Sequence, residues 1–193
     1  MSQKNFNLPN ILTFLRLAMV PVTVCLILSD QTIAAFAVFL AACLTDLLDG
    51  YIARKYNLTT KLGIWLDPLA DKMMAVAVIV CFTIEGILPL AILIIVFAKE
   101  FLMLLGGFII LRKGHVTPSN KFGKIAALLL NISIASGFLH EYWYPYYLYA
   151  TYVAVAAVLV AFVQYAIVNG HLLFEKGPKE KKAGEEKSAD EQK

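Results

Sequence analysis

Four aspartates, Asp46, Asp49, Asp67 and Asp71, punctuate the stretch DLLDGYIARKYNLTTKLGIWLDPLAD of an otherwise apolar chain. At about 100° per residue, Asp46, Asp49, Gly50, Ala53 and Arg54 stand at i, i+3, i+4, i+7 and i+8 and share one helix face. Gly63, Asp67 and Asp71 stand at i, i+4 and i+8 and share another. The residues from Lys55 to Leu62 reverse the chain, so the two acidic faces can meet. One or two acids near a helix end are ordinary interfacial charges. Four on matching faces repel one another, and an acid at the bilayer centre costs roughly 2.5–3.5 kcal/mol on insertion scales. The arrangement therefore calls for a compensating cation, and an all-oxygen ligand set suits Mg²⁺ or Mn²⁺ rather than zinc.

Gly50 and Gly63 lie one turn from an acid on these faces. A missing side chain lets a ligand approach the backbone there, whereas a lone glycine would be read as helix packing through small residues. Arg54, on the same face as Asp46, can grip a phosphate with a forked contact.

The elements that must position these residues are transmembrane helices. Of 193 residues, 60% are hydrophobic, too many for a soluble globule. A helix of about 20 apolar residues crosses the hydrocarbon core, and by that measure six spans follow: about 9–28, 32–54, 62–84, 88–111, 120–139 and 146–174. The fold class expected is an all-α integral membrane protein with a catalytic domain over 1–175 and a disordered charged tail over 176–193. That tail holds six lysines against five acids and no aromatic residue, so it cannot bury a core. No cleavable signal pattern is evident at the N-terminus.

All 17 Lys and Arg lie in the N-terminal segment, in the 54–72 and 99–124 regions, or in the tail. Positive charge stays cytoplasmic, so both termini and the 55–61 and 112–119 loops are expected in the cytosol. The HEYWYPYY cluster at 140–147 then meets the opposite interface, where Tyr and Trp anchor. Cys25, Cys43 and Cys81 lie in apolar runs without CxxC spacing and read as buried free thiols. The three histidines form no ligand pattern, and the basic residues follow membrane topology, which leaves nothing for nucleic acid.

Asn10, Thr13 and Arg16 form a polar edge on the first span, explicable as capping plus a snorkelling arginine. Lys99 and Glu100 interrupt the fourth span, either as a neutralised pair or with Lys99 joining Arg112, Lys121 and Lys124 in a basic patch that draws in an anionic substrate. Of these, Lys124 is the preferred contact for such a substrate.

The pattern DxxDGxxAR, eight residues, GxxxDxxxD resembles the signature of the CDP-alcohol phosphatidyltransferases, and Asp46 through Asp71 match every fixed position. With NLPNILTFLR and the six-span length, the resemblance covers about residues 5–174. It implies CDP-diacylglycerol as donor, an alcohol as acceptor and CMP as product, with two metal ions on the pyrophosphate. It also implies that Asp46, Asp49 and Asp67 are metal ligands, and that Asp71 shares the metal and serves as general base on the acceptor hydroxyl. Asn10, Thr13, Arg16, Gly50, Ala53, Arg54 and Gly63 would then contact the donor. NLPNILTFLR and DPLADK are most similar to bacterial members that use glycerol 3-phosphate in phospholipid biosynthesis, although Gly107 and the GKIAA stretch stand where those members carry further basic groups. A homodimer in the cell membrane, its active site facing the cytoplasm, follows from resemblance and charge alone.

Three alternatives compete: a family member with another acceptor such as phosphatidylglycerol, an intramembrane prenyltransferase, and a divalent-cation transporter. The compact spacing speaks against the second. The clustering of acids at one face, rather than along a path, speaks against the third.

Overall fold

The computed structural model describes residues 8–56, 61–112 and 121–174, giving the backbone alone at 8–10, 51, 53–54, 56, 61–68, 111, 121 and 171–174. Six helices form: α1 (Leu8–Leu28), α2 (Thr32–Tyr56), α3 (Lys61–Ile84), α4 (Leu90–Arg112), α5 (Lys121–Gly137) and α6 (Tyr146–Phe174). No strand occurs among the described residues. Four stretches are long and apolar enough to cross a bilayer: Ile11–Leu28, Thr32–Gly50, Leu90–Ile110 and Tyr146–Gly170. The apolar part of α5, Phe122–Gly137, is shorter, and α3 carries four charged residues in its first half. The tail at 176–193 and the 57–60 and 113–120 connections lie outside the described residues.

The helix ends show local chemistry. Between α1 and α2 the chain turns through Asp30, at φ 57°, with the Asp30 amide donating to Ile27 O at 3.0 Å. After α3, Gly86 adopts φ 71°, a conformation that glycine accepts without steric cost. The sequence pattern carries the fifth span to residue 139, whereas regular helix stops at Gly137. Tighter bonds then take over, from the Leu139 amide to Ser136 O at 3.1 Å and from the His140 amide to Gly137 O at 3.1 Å, as is common where a helix finishes.

The chain divides into two compact units, residues 1–93 with 131–151, and residues 94–130 with 152–193. In the first, α1, α2 and α3 pack together. The inward face of α1 runs Thr13, Arg16, Val20, Thr23, Ile27, at alternating spacings of three and four. That of α2 runs Ala35, Phe39, Ala42 and on to Asp49, and that of α3 runs Ala70, Met74, Val78, Phe82. Alanines at these contacts let the helices approach closely, which matters because lipid offers no hydrophobic drive for helix association. The Thr23 hydroxyl spends its donor on Met19 O at 2.9 Å within α1, so it can lie fully buried.

An aromatic quartet closes one end of this unit. The Phe138 ring lies 5.5 Å from Phe36, 5.4 Å from Phe39 and 4.9 Å from Phe82, the last edge-on. Nearby, the Tyr147 hydroxyl donates to Ile87 O at 3.1 Å. Tyr142, Trp143, Tyr144 and Tyr146 are all exposed, as an interfacial belt requires.

In the second unit the buried positions include Val96, Ile110, Ala126, Leu130, Ala154, Val158 and Ala161. Large side chains such as Phe97, Phe101, Leu104 and Phe108 point outward, the pattern of a helix surface solvated by lipid. One expectation about the cysteines is corrected here. All three are free thiols, but only Cys81 is buried; Cys43 is half-buried and Cys25 is exposed. In a chain solvated by lipid an apolar run has no need to face protein, so apolar context does not report burial.

Candidate active site

The turn at 29–31 makes α1 and α2 antiparallel arms of nearly equal length. Arg16 precedes Leu28 by 12 residues and Asp46 follows Thr32 by 14. At 1.5 Å per residue these positions sit about 18 and about 21 Å from the turn, at matching depth. On the far side of the next connection, Asp71 stands ten residues into α3 and Asp46 ten residues before the end of α2. Three helices thus bring their polar positions to one level.

The side chains meet there. Arg16 Nη1 lies 2.9 Å from Asp46 Oδ1 and 2.9 Å from Asp71 Oδ1, while Nη2 donates to Asp49 Oδ2. The Arg16 side chain is 1% exposed and that of Asp49 4%, whereas Asp46 and Asp71 are 38% and 46% open. The cluster therefore has a sealed floor, Arg16 with Asp49, and an open rim, Asp46 with Asp71. Hydrogen bonds to charged partners contribute about 1.5–3 kcal/mol each, and removing one member of a buried pair costs about 3–5 kcal/mol through the charge left behind.

The structure thus brings together Asp46, Asp49 and Asp71 of the acidic set. Asp67 lies on α3 one turn before Asp71, with its backbone alone described, as are Asn10, Ala53, Arg54, Gly63 and Lys121. Thr13 is buried on α1 one turn before Arg16, and Gly50 follows Asp49 on α2. Among the described residues no group of three or more acids, histidines or cysteines encloses an ion site by itself; three of the acids share the Arg16 guanidinium. Sequence reasoning sought a compensating cation and named a metal, but overlooked Arg16 as a cation already present. The matching depths of Arg16 and Asp46 about the 29–31 turn were the available signal.

The donor set still fits a hard divalent ion. It is all oxygen and carries more negative charge than one guanidinium balances, and two of its carboxylates open outward.

The basic residues expected to serve the acceptor belong to the second unit. Lys99 is paired with its neighbour Glu100, each 15% exposed, which is the neutralised intramembrane pair that their sequence positions allow. Arg112 lies 4.6 Å over the ring of Phe108, a cation–π contact at the end of α4. Lys124 is exposed on the first turn of α5.

The CDP-alcohol phosphatidyltransferase family model matches residues 6–164, a span that contains the Arg16 cluster and most of all six helices. The chain belongs to this family. Over 186 residues it is 32% identical to the CDP-diacylglycerol–glycerol-3-phosphate 3-phosphatidyltransferase of Bacillus subtilis (strain 168), covering 89% of this chain and 95% of that one. It is 31% identical over 163 residues to a probable phosphatidylglycerophosphate synthase of Mycobacterium tuberculosis (strain ATCC 25618 / H37Rv), covering 81% of this chain and 77% of that one. A shorter match, 42% identical over 98 residues, joins 51% of the chain to 16% of a cardiolipin synthase (CMP-forming) / mitochondrial hydrolase fusion protein of Schizosaccharomyces pombe (strain 972 / ATCC 24843). Membership of this family makes the chain a transferase, and that membership sets aside the prenyltransferase and cation-transporter alternatives.

Proposed function

We propose that this chain transfers the phosphatidyl group of CDP-diacylglycerol to glycerol 3-phosphate, giving phosphatidylglycerol phosphate and CMP. The observation that carries the reading is the convergence of Asp46, Asp49 and Asp71 from two helices at one level, inside the residues that match the family. The chain-long similarity to the Bacillus subtilis enzyme supports the choice of acceptor.

In this reading Asp46, Asp49, Asp67 and Asp71 hold two divalent ions, Mg²⁺ or Mn²⁺. Such ions, when bound, neutralise the donor pyrophosphate and the phosphate of departing CMP. Asn10 and Thr13 on α1, Gly50, Ala53 and Arg54 on α2, and Gly63 on α3 receive the nucleotide and pyrophosphate. Asp71 is the more open of the three described carboxylates, as a base that must reach an incoming hydroxyl should be. It takes the proton of the acceptor hydroxyl. The oxygen forms its bond to the phosphatidyl phosphorus, and the bond from that phosphorus to the CMP oxygen breaks. With Lys99 neutralised by Glu100, the positive charges of Arg112, Lys121 and Lys124 attract the acceptor phosphate, with Lys124 the main contact.

α3 and α5 complete six spans, and the distribution of lysine and arginine puts both termini and the site on the cytoplasmic side of the cell membrane. The enzyme works as a homodimer.

A second reading has support of its own: phosphatidylglycerol as acceptor, in cardiolipin synthesis. The match to the Schizosaccharomyces pombe fusion protein favours it, as do Gly107 and Ala126 at positions where a phosphate-binding cation would serve. Purified protein given CDP-diacylglycerol and each acceptor in turn, with lipid products weighed by mass spectrometry, decides between them. Phosphatidylglycerol phosphate is the product expected. Cardiolipin formed while glycerol 3-phosphate is ignored would select the second reading.

A further inference from the structure

Arg16 is a full positive charge on a stretch of α1 that is apolar and long enough to span a bilayer, where cations are rare and expensive. It comes from a different helix than the acids it meets. Its two terminal nitrogens are committed to Asp46, Asp49 and Asp71, and its side chain is 1% exposed. Nε has no hydrogen-bond partner among the described residues, so the group is aimed by its two ends rather than cradled along its length. A guanidinium so placed presents its donors to protein carboxylates, not outward to a substrate phosphate. The four acids of the set against one guanidinium leave three negative charges for divalent ions to compensate.

We infer that Arg16 is a positioning residue: an internal counter-cation that holds the acids of α2 and α3 in register and shares their oxygens with the divalent ion, rather than a ligand of the nucleotide. The inference rests on the metal-dependent reading above. It has a consequence that plain packing would lack. Arg16 and the ion compensate the same carboxylates, so they are thermodynamically linked, and loss of one makes the protein depend more on the other. Without Arg16, Asp49 faces Asp46 and Asp71 across a sealed floor with like charges opposed. A divalent ion then supplies all of the compensation instead of part of it.

The test uses the full chain in detergent micelles. Thermal unfolding is followed in chelator and in saturating Mn²⁺ for the wild type, R16Q and R16K, and bound Mn²⁺ is counted by electron paramagnetic resonance. In chelator R16Q should melt about 5–10 °C below the wild type. Mn²⁺ should recover most of that loss, so the metal-induced rise in Tm is larger in R16Q than in the wild type. R16K keeps the charge without the fork and should fall between. An equal loss in chelator and in Mn²⁺ would mean that Arg16 only fills space, and would overturn the inference. So would unchanged melting in both conditions with weakened CDP-diacylglycerol binding, the mark of a donor ligand. If R16Q does not fold in chelator, R16Q/D49N removes one buried acid together with the cation. Restored folding then supports the counter-cation role of Arg16, and continued failure overturns it. The metal reading has its own signal: wild type that binds no Mn²⁺ refutes that reading directly, and the inference falls with it.

Discussion

Arg16 and Asp49 stand 33 residues apart on antiparallel helices, and their side chains meet with almost no solvent at either. Asp46 and Asp71 sit above this pair and open outward. Asp71 is the most open of the three acids, which suits it to meet an incoming hydroxyl, while Asp46 beside it shares its guanidinium partner.

Asp46→Asn or Asp67→Asn should abolish CMP release, because an amide is a poor ligand for a hard ion and the pyrophosphate loses its counter-charge. Chelator should stop the wild type, and Mg²⁺ or Mn²⁺ should restart it. Full turnover of CDP-diacylglycerol in chelator would sink the metal site.

Asp71→Asn should keep some of the donor affinity and lose catalysis, since an amide cannot take up the acceptor proton. Direct binding of CDP-diacylglycerol to this variant decides the point. Affinity lost in step with turnover would make Asp71 mainly a ligand.

Lys124→Ala should raise the KM for glycerol 3-phosphate by roughly ten- to a hundredfold, the equivalent of one charge-assisted contact of about 1.5–3 kcal/mol. The donor KM should hardly move. A lipid or uncharged acceptor would leave both constants near their wild-type values, and steady-state kinetics with each substrate varied shows which holds.

Gly137→Ala tests the closed end. A Cβ there would stand 2.6 Å from Phe82 Cε2, and that ring is itself held 4.9 Å from Phe138. With little room to yield, the overpacking should cost about 1–3 kcal/mol and lower Tm by several degrees. Phe82→Leu in the same chain should return part of the loss, and a Gly137→Ala protein that melts like the wild type would contradict the packing described.

Much of this was legible in the residues themselves. Helical periodicity put Asp46 with Asp49, the span lengths gave six helices close to their observed limits, and the reversal after Lys55 brought Asp71 to the same level. Three things were not legible, each for a physical reason. Arg16 was read along its own helix as a polar edge, and its meaning emerges only when depths are compared across a turn. The stop at Gly137 depends on bonds around Ser136 that no hydrophobic pattern encodes. The approach of Gly137 to Phe82 joins residues 55 apart, beyond any local signal.

The aromatic quartet has a bearing on traffic through the molecule. On the inward stripe of α2, Phe39 lies two turns from Asp46, about 10 Å along the axis, and below it come Ala35 and the rings of Phe36, Phe82 and Phe138. An ion resting among the acids finds no second ring of carboxylates beneath it on that stripe, only hydrocarbon and ring faces. Within two turns of the acids this face of α2 passes from charge to hydrocarbon, so the polar chemistry is confined to a shallow shelf, as suits a bench for exchanging headgroups.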